Sequence, residues 1–318
     1  DSKTVTVVTH DSFHVSEDLQ KAFTSETGYT LKVATSGDAG ALVNKLVLTK
    51  DAPLGDAVFG IDNTYATRAL DQGVIDTSAT VTLPKGAESY VVADTPALAP
   101  IDVGDVCLNI DTGYFTGKGL TPPATFEDLT KPEYKGLLVA INPTNSSPGM
   151  AWLLATIGHF GAGSFAGYWK QLMANGARIA EDWSAAYETD FSGSGKGTYP
   201  IVVSYASSPS FTVSDDGASS STSALLDTAF RQVEYAGVLK GAANPEGGKA
   251  FVTWMLSKAV QEDIPGQMYM YPVLPDAALP EALTKFGPLS SAPVSVEPKE
   301  ITAHREEWLN TWTGAVGK

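Results

Sequence analysis

The first part of the chain alternates between strand-forming and helix-forming segments, and this alternation most constrains the fold. Strands are predicted at Thr4–Thr9, Tyr29–Thr35 and Asp56–Ile61. The helices between them are expected to begin after Ser16 and Asp38, because Ser and Asp are favoured N-cap residues. Strands that are joined by a helix pair in parallel, so this pattern predicts an α/β unit.

The remainder of the chain predicts a second α/β unit. Strands near Ser89–Val92 and Val103–Asn109 are expected to cross from one domain to another, and further strand patterns lie at Leu137–Ile141 and Phe230–Leu239. A chain of 318 residues is long for a single core, so two domains are expected. We place one domain at 1–102 with 232–276, and the other at 103–231 with 277–318.

Composition and charge exclude several classes of protein. Hydrophobic residues make up 43% of the chain and charged residues 18%, so the chain is not a disordered one. No run approaches about 18 consecutive apolar residues, the length that a membrane-spanning helix needs. A net charge of −15 repels nucleic acid and anionic lipid headgroups. The same charge favours either simple solubility or the approach of a cationic small molecule, and both interpretations stay open.

Familiar catalytic and metal-binding motifs are missing. The single cysteine, Cys107, excludes an internal disulfide, and its apolar neighbours favour a buried side chain over a nucleophile. His10 and His14 are four residues apart, but the residues between them resemble a strand end rather than a metal-binding helix. No G-x-G-x-x-G follows the first strand, and neither G-x-x-x-x-G-K-[ST] nor G-x-S-x-G occurs. We therefore predict no catalytic residue, no metal site and no cofactor.

Three predicted strands end in small polar residues beside aromatic residues. These stretches are Val5–Phe13, Val139–Gly149 and Ile201–Phe211. Ligands collect at the carboxyl ends of strands in open α/β sheets, so the three stretches are able to form one cleft. The same residues are equally consistent with ordinary turns between strands and helices, because Ser, Asn and Pro are common in turns. Aromatic residues and carboxylates at such ends suit flat cationic heterocycles, which bind by stacking and cation–π contacts.

Six stretches occur in the order found in one family of transport proteins. They are Thr9–Phe13, Gly55–Asn63, Asn142–Gly149, Asp182–Tyr187, Ser204–Pro209 and Ile264–Val273. In these stretches the chain resembles the thiamine-binding component of bacterial ABC importers, and the resemblance runs from Thr4 to about Val316. It implies the type II periplasmic-binding-protein fold. That fold has two lobes, each a mixed, mostly parallel sheet flanked by helices, with the ligand cleft between them.

The resemblance implies an extracytoplasmic solute-binding protein rather than an enzyme. Such a protein captures thiamine or its phosphates and delivers it to the permease of an ABC transporter. The resemblance also implies a periplasmic or cell-surface location, and it allows for a lipid anchor that is present before processing. We expect the protein to be a monomer. From the residues at strand ends and the resemblance together, we predict the ligand-binding residues His10, Asp11, Ser12, Asp38, Ala39, Asp62, Ser146, Ser147, Trp183, Tyr187, Tyr205, Ser207, Phe211 and Tyr269.

Four positions depart from the pattern of that family. His10 and Phe211 stand where tyrosines are usual, Tyr269 replaces a tryptophan, and Ala39 replaces a glycine. The residues at positions 10, 211 and 269 are still aromatic rings, but two hydroxyl groups are lost and less ring area is available for stacking. Thiamine, its phosphates and its pyrimidine or thiazole parts therefore all stay open as ligands. His10 also predicts a pH-sensitive affinity, because a charged imidazolium would repel a thiazolium cation.

Two other functions stay open at the level of the sequence. Thiamine-degrading enzymes share this fold class, and their chemistry would need an activated thiolate, for which Cys107 is the candidate. A type II protein that binds another solute, such as ferric ion or a phosphonate, is the third class. Ferric sites in this fold usually have paired tyrosines, and no Tyr-Tyr pair occurs in this chain.

Overall fold

The protein divides into two compact units in a computed structural model that describes residues 3–318. The first unit comprises the described residues up to Val103 together with Val233–Pro280, and the second comprises Gly104–Gln232 together with Glu281–Lys318. The corresponding predicted bounds were 1–102 with 232–276, and 103–231 with 277–318. Residues 1 and 2 of the first predicted domain lie outside the described residues. The arrangement of the two units as lobes around a cleft stays a prediction.

Strands and helices alternate along most of the chain. The strands are β1 Thr4–Thr9, β2 Thr30–Thr35, β3 Ala57–Asp62, β4 Ala99–Asp111, β5 Leu138–Ile141, β6 Arg178–Ala180, β7 Ile201–Tyr205, β8 Thr222–Val238 and β9 Tyr271–Pro272. The α-helices are α1 Glu17–Thr27, α2 Ala39–Leu48, α3 Ala66–Asp71, α4 Thr112–Lys118, α5 Ser147–Phe160, α6 Phe165–Ala174, α7 Pro245–Met255, α8 Lys258–Met268, α9 Glu281–Phe286 and α10 Pro298–Val316. A π-helix spans Ser184–Asp190.

The sheet of the first unit is built on β1. This strand pairs in parallel with β2 on one side and with β3 on the other, and β3 pairs antiparallel with β8. All residues of β3 are buried, and Phe23 of α1 packs against Trp254 of α7 with ring centroids 5.1 Å apart. The predicted alternation of parallel strands and helices in this part of the chain is therefore confirmed.

The second unit has its own core. Among its strands β7 lies between β4 and β5, antiparallel to β4 and parallel to β5, which in turn pairs in parallel with β6. Three tryptophans from different helices form the centre of the core. The rings of Trp152 and Trp169 are 5.4 Å apart and those of Trp169 and Trp312 are 5.8 Å apart. Trp312 thereby anchors α10 in this unit.

One predicted strand is wrong. The stretch Ser89–Val92 contains no strand, and its first two residues belong to a 3₁₀ helix at Ala87–Tyr90. The carboxylate of Glu88 accepts a hydrogen bond from the backbone N–H of Gly86, and the hydroxyl of Ser89 donates to the carbonyl of Gly86. Such local side-chain bonds to the backbone compete with strand pairing, and here they stabilise the turn.

A bulge in β3 makes room for the residue that follows β1. The register between β3 and β8 shifts between Phe59 and Ile61, and Gly60 between them has a φ of 110°. A Cβ atom at position 60 would collide with Cδ2 of His10. Glycine is therefore needed here both for the backbone conformation and for the approach of the His10 ring.

Replacing Gly60 with Ala should lower the free energy of unfolding by about 2 kcal/mol, because the new methyl group meets a buried ring at a positive φ. Urea unfolding monitored by circular dichroism measures this change. Gly167→Ala is the matched control, since no atom lies within 4 Å of a Cβ at that helical position. The control should be neutral or more stable by about 0.5–1 kcal/mol. Equal stability of both variants would contradict the packing argument.

Candidate functional site

His10 lies directly after β1 and is almost fully buried. Its Nε2 lies 2.7 Å from Oε2 of Glu234, and the backbone N–H of Ser12 donates to its Nδ1 at 3.1 Å. Its ring also packs against Phe59, with centroids 5.4 Å apart. The position and orientation of His10 are therefore fixed by groups within the first unit.

Two loops at this end of the first unit are tied together by reciprocal hydrogen bonds. The backbone N–H of Asp11 donates to the carbonyl of Gly37 at 2.8 Å, and the N–H of Gly37 donates to Oδ1 of Asp11 at 2.9 Å. Asp38 follows as the N-cap of α2, and its Oδ1 accepts from the N–H of Ala39 at 2.8 Å. The structure thus brings the predicted residues 10–12 and 38–39 into one neighbourhood.

Asp62 and Tyr269 are the other predicted residues of the first unit. Asp62 is fully buried, and its Oδ1 accepts hydrogen bonds from the N–H and hydroxyl of Thr64 and from the N–H of Tyr65. These bonds give Asp62 a defined part in the turn before α3. Tyr269 ends α8 in the left-handed conformation, with a φ of 63°. A bulky residue in that region is uncommon and often marks a functional site.

In the second unit Ser146 and Ser147 lie at the start of α5. Ser146 is the N-cap, and its hydroxyl accepts from the N–H of Gly149 at 3.1 Å. The hydroxyl of Ser147 accepts from the amide of Gln232 at 2.7 Å. The preceding loop is held by Glu181, whose Oε2 accepts from Asn142 and Asn145. Both serines are buried, so their hydroxyls are held in defined positions.

Trp183 and Tyr187 form a stacked aromatic pair in the second unit. Their ring centroids are 5.1 Å apart and their planes differ by 12°. The π-helix that follows Trp183 spaces the two rings, and such helices frequently occur at functional sites. The indole N–H of Trp183 donates to the hydroxyl of Ser204 at 3.0 Å, and Ser204 lies 2.8 Å from the hydroxyl of Ser208.

Tyr205 is the last residue of β7, and Ser207 and Phe211 follow it. Tyr205 is half-buried, Ser207 is buried, and Phe211 is 38% exposed. The carbonyl of Tyr205 accepts from the amide of Asn109 at 3.0 Å, and the carbonyl of Ser207 accepts from Ser210. Trp183 reaches this segment through Ser204, so the structure places the aromatic pair beside the end of β7.

The predicted residues therefore fall into two sets, one in each unit. The first unit contains His10, Asp11, Ser12, Asp38, Ala39, Asp62 and Tyr269, and the second contains Ser146, Ser147, Trp183, Tyr187, Tyr205, Ser207 and Phe211. Each set combines polar groups with aromatic rings. The role of each residue as a ligand contact stays a prediction.

Sequence reasoning missed two carboxyl groups in the first unit. Glu234 on β8 is 5% exposed and bonded to His10, and Asp102 on β4 is fully buried. A signal for Glu234 was present in the sequence, because a carboxylate inside the predicted strand Phe230–Leu239 needs a partner if it is buried. The sequence gives no indication of which residue that partner is.

The match to a family model decides the family. The model for bacterial extracellular solute-binding proteins matches residues 56–286. This chain belongs to that family. Its members bind solutes outside the cytoplasm, which agrees with the extracytoplasmic class predicted from the sequence.

Relatives and solved structures that are similar to this chain cover nearly all of it. The thiamine-binding periplasmic protein of Salmonella typhimurium is 27% identical over 326 residues, which include 99% of this chain and 94% of that protein. The thiamine-binding periplasmic protein of Escherichia coli is also 27% identical, over 327 residues and with the same coverage. A periplasmic thiamin binding protein of known structure has a TM-score of 0.85 and 25% identity, covering 99% of this chain and 96% of that one. The predicted type II fold is confirmed.

Among residues 3–318, no group of three or more His, Cys, Asp or Glu side chains is arranged to hold a metal ion. Over the same residues, no helix is both long and apolar enough to cross a bilayer. The remaining candidate for a catalytic nucleophile is Cys107. Its side chain is fully buried on β4, and burial, together with the charge of Asp105, strongly raises the pKa of its thiol. A thiol in this environment stays protonated at neutral pH and is a poor nucleophile.

Cys107 should not react with the thiol reagent DTNB while the protein is folded, because the thiol is inaccessible and protonated. After unfolding in guanidinium chloride, one thiol per chain should react, since the chain has a single cysteine. Absorbance at the wavelength of the released thiolate follows both reactions. Rapid labelling of the folded protein would contradict the buried assignment and reopen a nucleophilic role.

Proposed function

We propose that this protein captures thiamine outside the cytoplasm and delivers it to the permease of an ABC transporter. The observation that carries the proposal is the stacked pair of Trp183 and Tyr187 held beside the end of β7. Full-length similarity to thiamine-binding periplasmic proteins supports the same ligand. Thiamine is the cargo in this proposal, and we propose no cofactor. We further propose that the protein acts as a monomer.

The charge of thiamine suits the polar groups of the first unit. Thiamine carries a thiazolium cation, and Asp11 and Asp38 lie in the same neighbourhood as His10. An aromatic face attracts a cation by about 1 kcal/mol or more when water is excluded. A carboxylate then balances the positive charge. We propose that Trp183 and Tyr187 supply the aromatic face and that Asp38 supplies the balancing negative charge.

The proposed site also has groups that suit a phosphate ester. Ser146 and Ser147 lie at the first turn of α5, where hydroxyls and backbone N–H groups favour anions. We propose that thiamine phosphates bind with their phosphate group at this turn. Calorimetric titration with thiamine, its monophosphate and its diphosphate tests the proposal. Equal affinities for all three compounds would argue against a phosphate contact.

Truncation of the proposed contacts should weaken thiamine binding. Trp183→Ala and Asp38→Ala should each raise the dissociation constant at least about tenfold, since losing about 1.4 kcal/mol changes affinity by that factor. Isothermal titration calorimetry measures the change. Asp38→Asn separates charge from capping, because its side-chain oxygen still accepts a hydrogen bond at the N-cap of α2.

Asp18→Asn is the control for a loss of negative charge, because the side chain of Asp18 is 98% exposed on α1. Its affinity for thiamine should equal that of the wild type. Unaltered affinity in both Trp183→Ala and Asp38→Ala would show that the proposed residues are wrong. Absence of any heat with thiamine or its esters would reject the ligand itself.

Other functions give different results in the same experiments. A protein that binds another solute would release heat with that solute rather than with thiamine. This alternative is tested because a ferric binding protein from Campylobacter jejuni shares the fold, at 17% identity and a TM-score of 0.73. A thiamine-degrading enzyme would cleave thiamine in the presence of an added nucleophile. We expect thiamine to be recovered intact, because the buried thiol of Cys107 argues against that chemistry.

A further inference from the structure

Three titratable side chains lie close together inside the first unit. His10 follows β1, Glu234 lies on β8 and Asp102 lies on β4, which is next to β8 in the sheet. Their exposed fractions are 6%, 5% and 0%. Burying charged groups is costly unless the charges are matched and hydrogen-bonded. The distribution of protons among these residues therefore decides the charge behind the His10 ring.

The hydrogen bonds of His10 define where its proton lies. The backbone N–H of Ser12 donates to Nδ1 at 3.1 Å, so Nδ1 presents a lone pair rather than a proton. The proton of the neutral ring consequently lies on Nε2. It is donated to Oε2 of Glu234 at 2.7 Å, which makes Glu234 an ionised acceptor.

Asp102 is the protonated member of the cluster. Neither of its side-chain oxygens accepts a hydrogen bond from a donor within residues 3–318. Burial, and then the charge of Glu234, raise the pKa of Asp102 well above its ordinary value. A carboxyl group in this environment keeps its proton at neutral pH and donates it towards Glu234.

Glu234 keeps its negative charge for the complementary reason. Burial by itself would raise the pKa of Glu234, but the charge that His10 carries when protonated, the hydrogen bond to His10 and the hydrogen bond from Asp102 outweigh burial and lower the pKa. The neutral ring, the ionised glutamate and the protonated aspartic acid together carry one negative charge. Asp62 lies opposite Glu234 in the pairing of β3 with β8, and its Oδ1 is bonded to Thr64 and Tyr65.

A second proton on His10 would reverse this balance. Burial lowers the pKa of His10, but the charge and hydrogen bond of Glu234, followed by the charges of Asp38 and Asp11, outweigh burial and raise the pKa. The added proton has to go to Nδ1, where it breaks the hydrogen bond from Ser12. The cluster would then be neutral, with a positive ring facing any ligand beside it.

We propose that Glu234 is a positioning residue that acts through His10 and determines the preference of the site for a cationic ring over a neutral ring of the same shape. It fixes the orientation and tautomer of His10 and places a negative charge behind the ring. This inference rests on the proposed function, since it concerns the residues next to the thiamine site. Asp102 supports Glu234 by donating a hydrogen bond without adding a second charge.

The test compares thiamine with 3-deazathiamine, in which an uncharged thiophene replaces the thiazolium. Calorimetry should show that Glu234→Gln reduces the preference for thiamine over 3-deazathiamine by about tenfold, the change expected from losing one nearby charge. The affinity for 3-deazathiamine itself should stay within about twofold. Glu17→Gln removes the same charge from an exposed position on α1 and should leave the preference unchanged.

The pH dependence separates this role from a purely structural one. In the wild type the affinity for thiamine should fall as the pH is lowered through the raised pKa of His10, because the ring becomes positive. Removing the carboxylate of Glu234 lowers the pKa of His10, so the fall should move to lower pH in Glu234→Gln. Binding of 3-deazathiamine should show a smaller dependence on pH in both proteins.

A spectroscopic measurement on the wild type covers the case in which Glu234→Gln does not fold. Nitrogen-15 NMR of histidine-labelled protein at pH 8 should show His10 with an unprotonated Nδ1 and a protonated Nε2. A doubly protonated His10 ring would overturn the inference, as would an unchanged preference in a folded Glu234→Gln. Failure of the wild type to bind both compounds would instead reject the proposed function, and the inference with it.

Discussion

A buried carboxylate needs hydrogen-bond donors to offset the loss of hydration. In the first unit the hydrogen bond from His10 meets this need for Glu234, and the residues around it are arranged to make that bond possible. Its bond to His10 joins the segment after β1 to β8, two parts of the chain that are 224 residues apart. Gly60 leaves space for the His10 ring, and Ser12 bonds to the other side of that ring. The loop that carries Asp11 is therefore held by the buried bond of His10 as well as by its own hydrogen bonds with Gly37.

In the second unit, hydroxyl groups hold an aromatic side chain in position. Ser204 accepts from the indole of Trp183, and Ser208 bonds in turn to Ser204. The π-helix places Tyr187 parallel to Trp183, which limits the rotation of both rings. Aromatic side chains that are held in this way lose little conformational entropy when a flat ligand stacks on them.

Local patterns predicted much of this fold because they depend on neighbouring residues. The strand Thr4–Thr9 has the predicted bounds, and the helix that Asp38 caps begins directly after that residue, as predicted. The turn at Ser89 was not predicted, since it depends on side-chain bonds to Gly86 that compete with strand pairing. Long β8 was predicted only from Phe230 onward, because it begins within a stretch rich in serine and threonine and its pairing is set by strands that are distant in the sequence.

The candidate site shows the same limit. Residue types at strand ends indicated His10, Trp183 and Tyr205, and the structure places each of them directly after a strand or beside the end of one. The carboxyl groups of Glu234 and Asp102 could not be paired with His10 from the sequence, because the three residues come from distant parts of the chain. Their protonation depends on burial and on one another, and neither can be read from spacing along the chain.

The acids near His10 also bear on what kind of cation this fold can hold. Related folds include a ferric binding protein, so the architecture alone does not select the ligand. A metal ion needs oxygen atoms that are able to coordinate it directly. Here Glu234 accepts from His10, Asp11 accepts from Gly37 and Asp38 accepts from Ala39. Each of these carboxylates is oriented by a hydrogen bond from a protein donor, so together they provide a negative field of defined direction, which favours an organic cation.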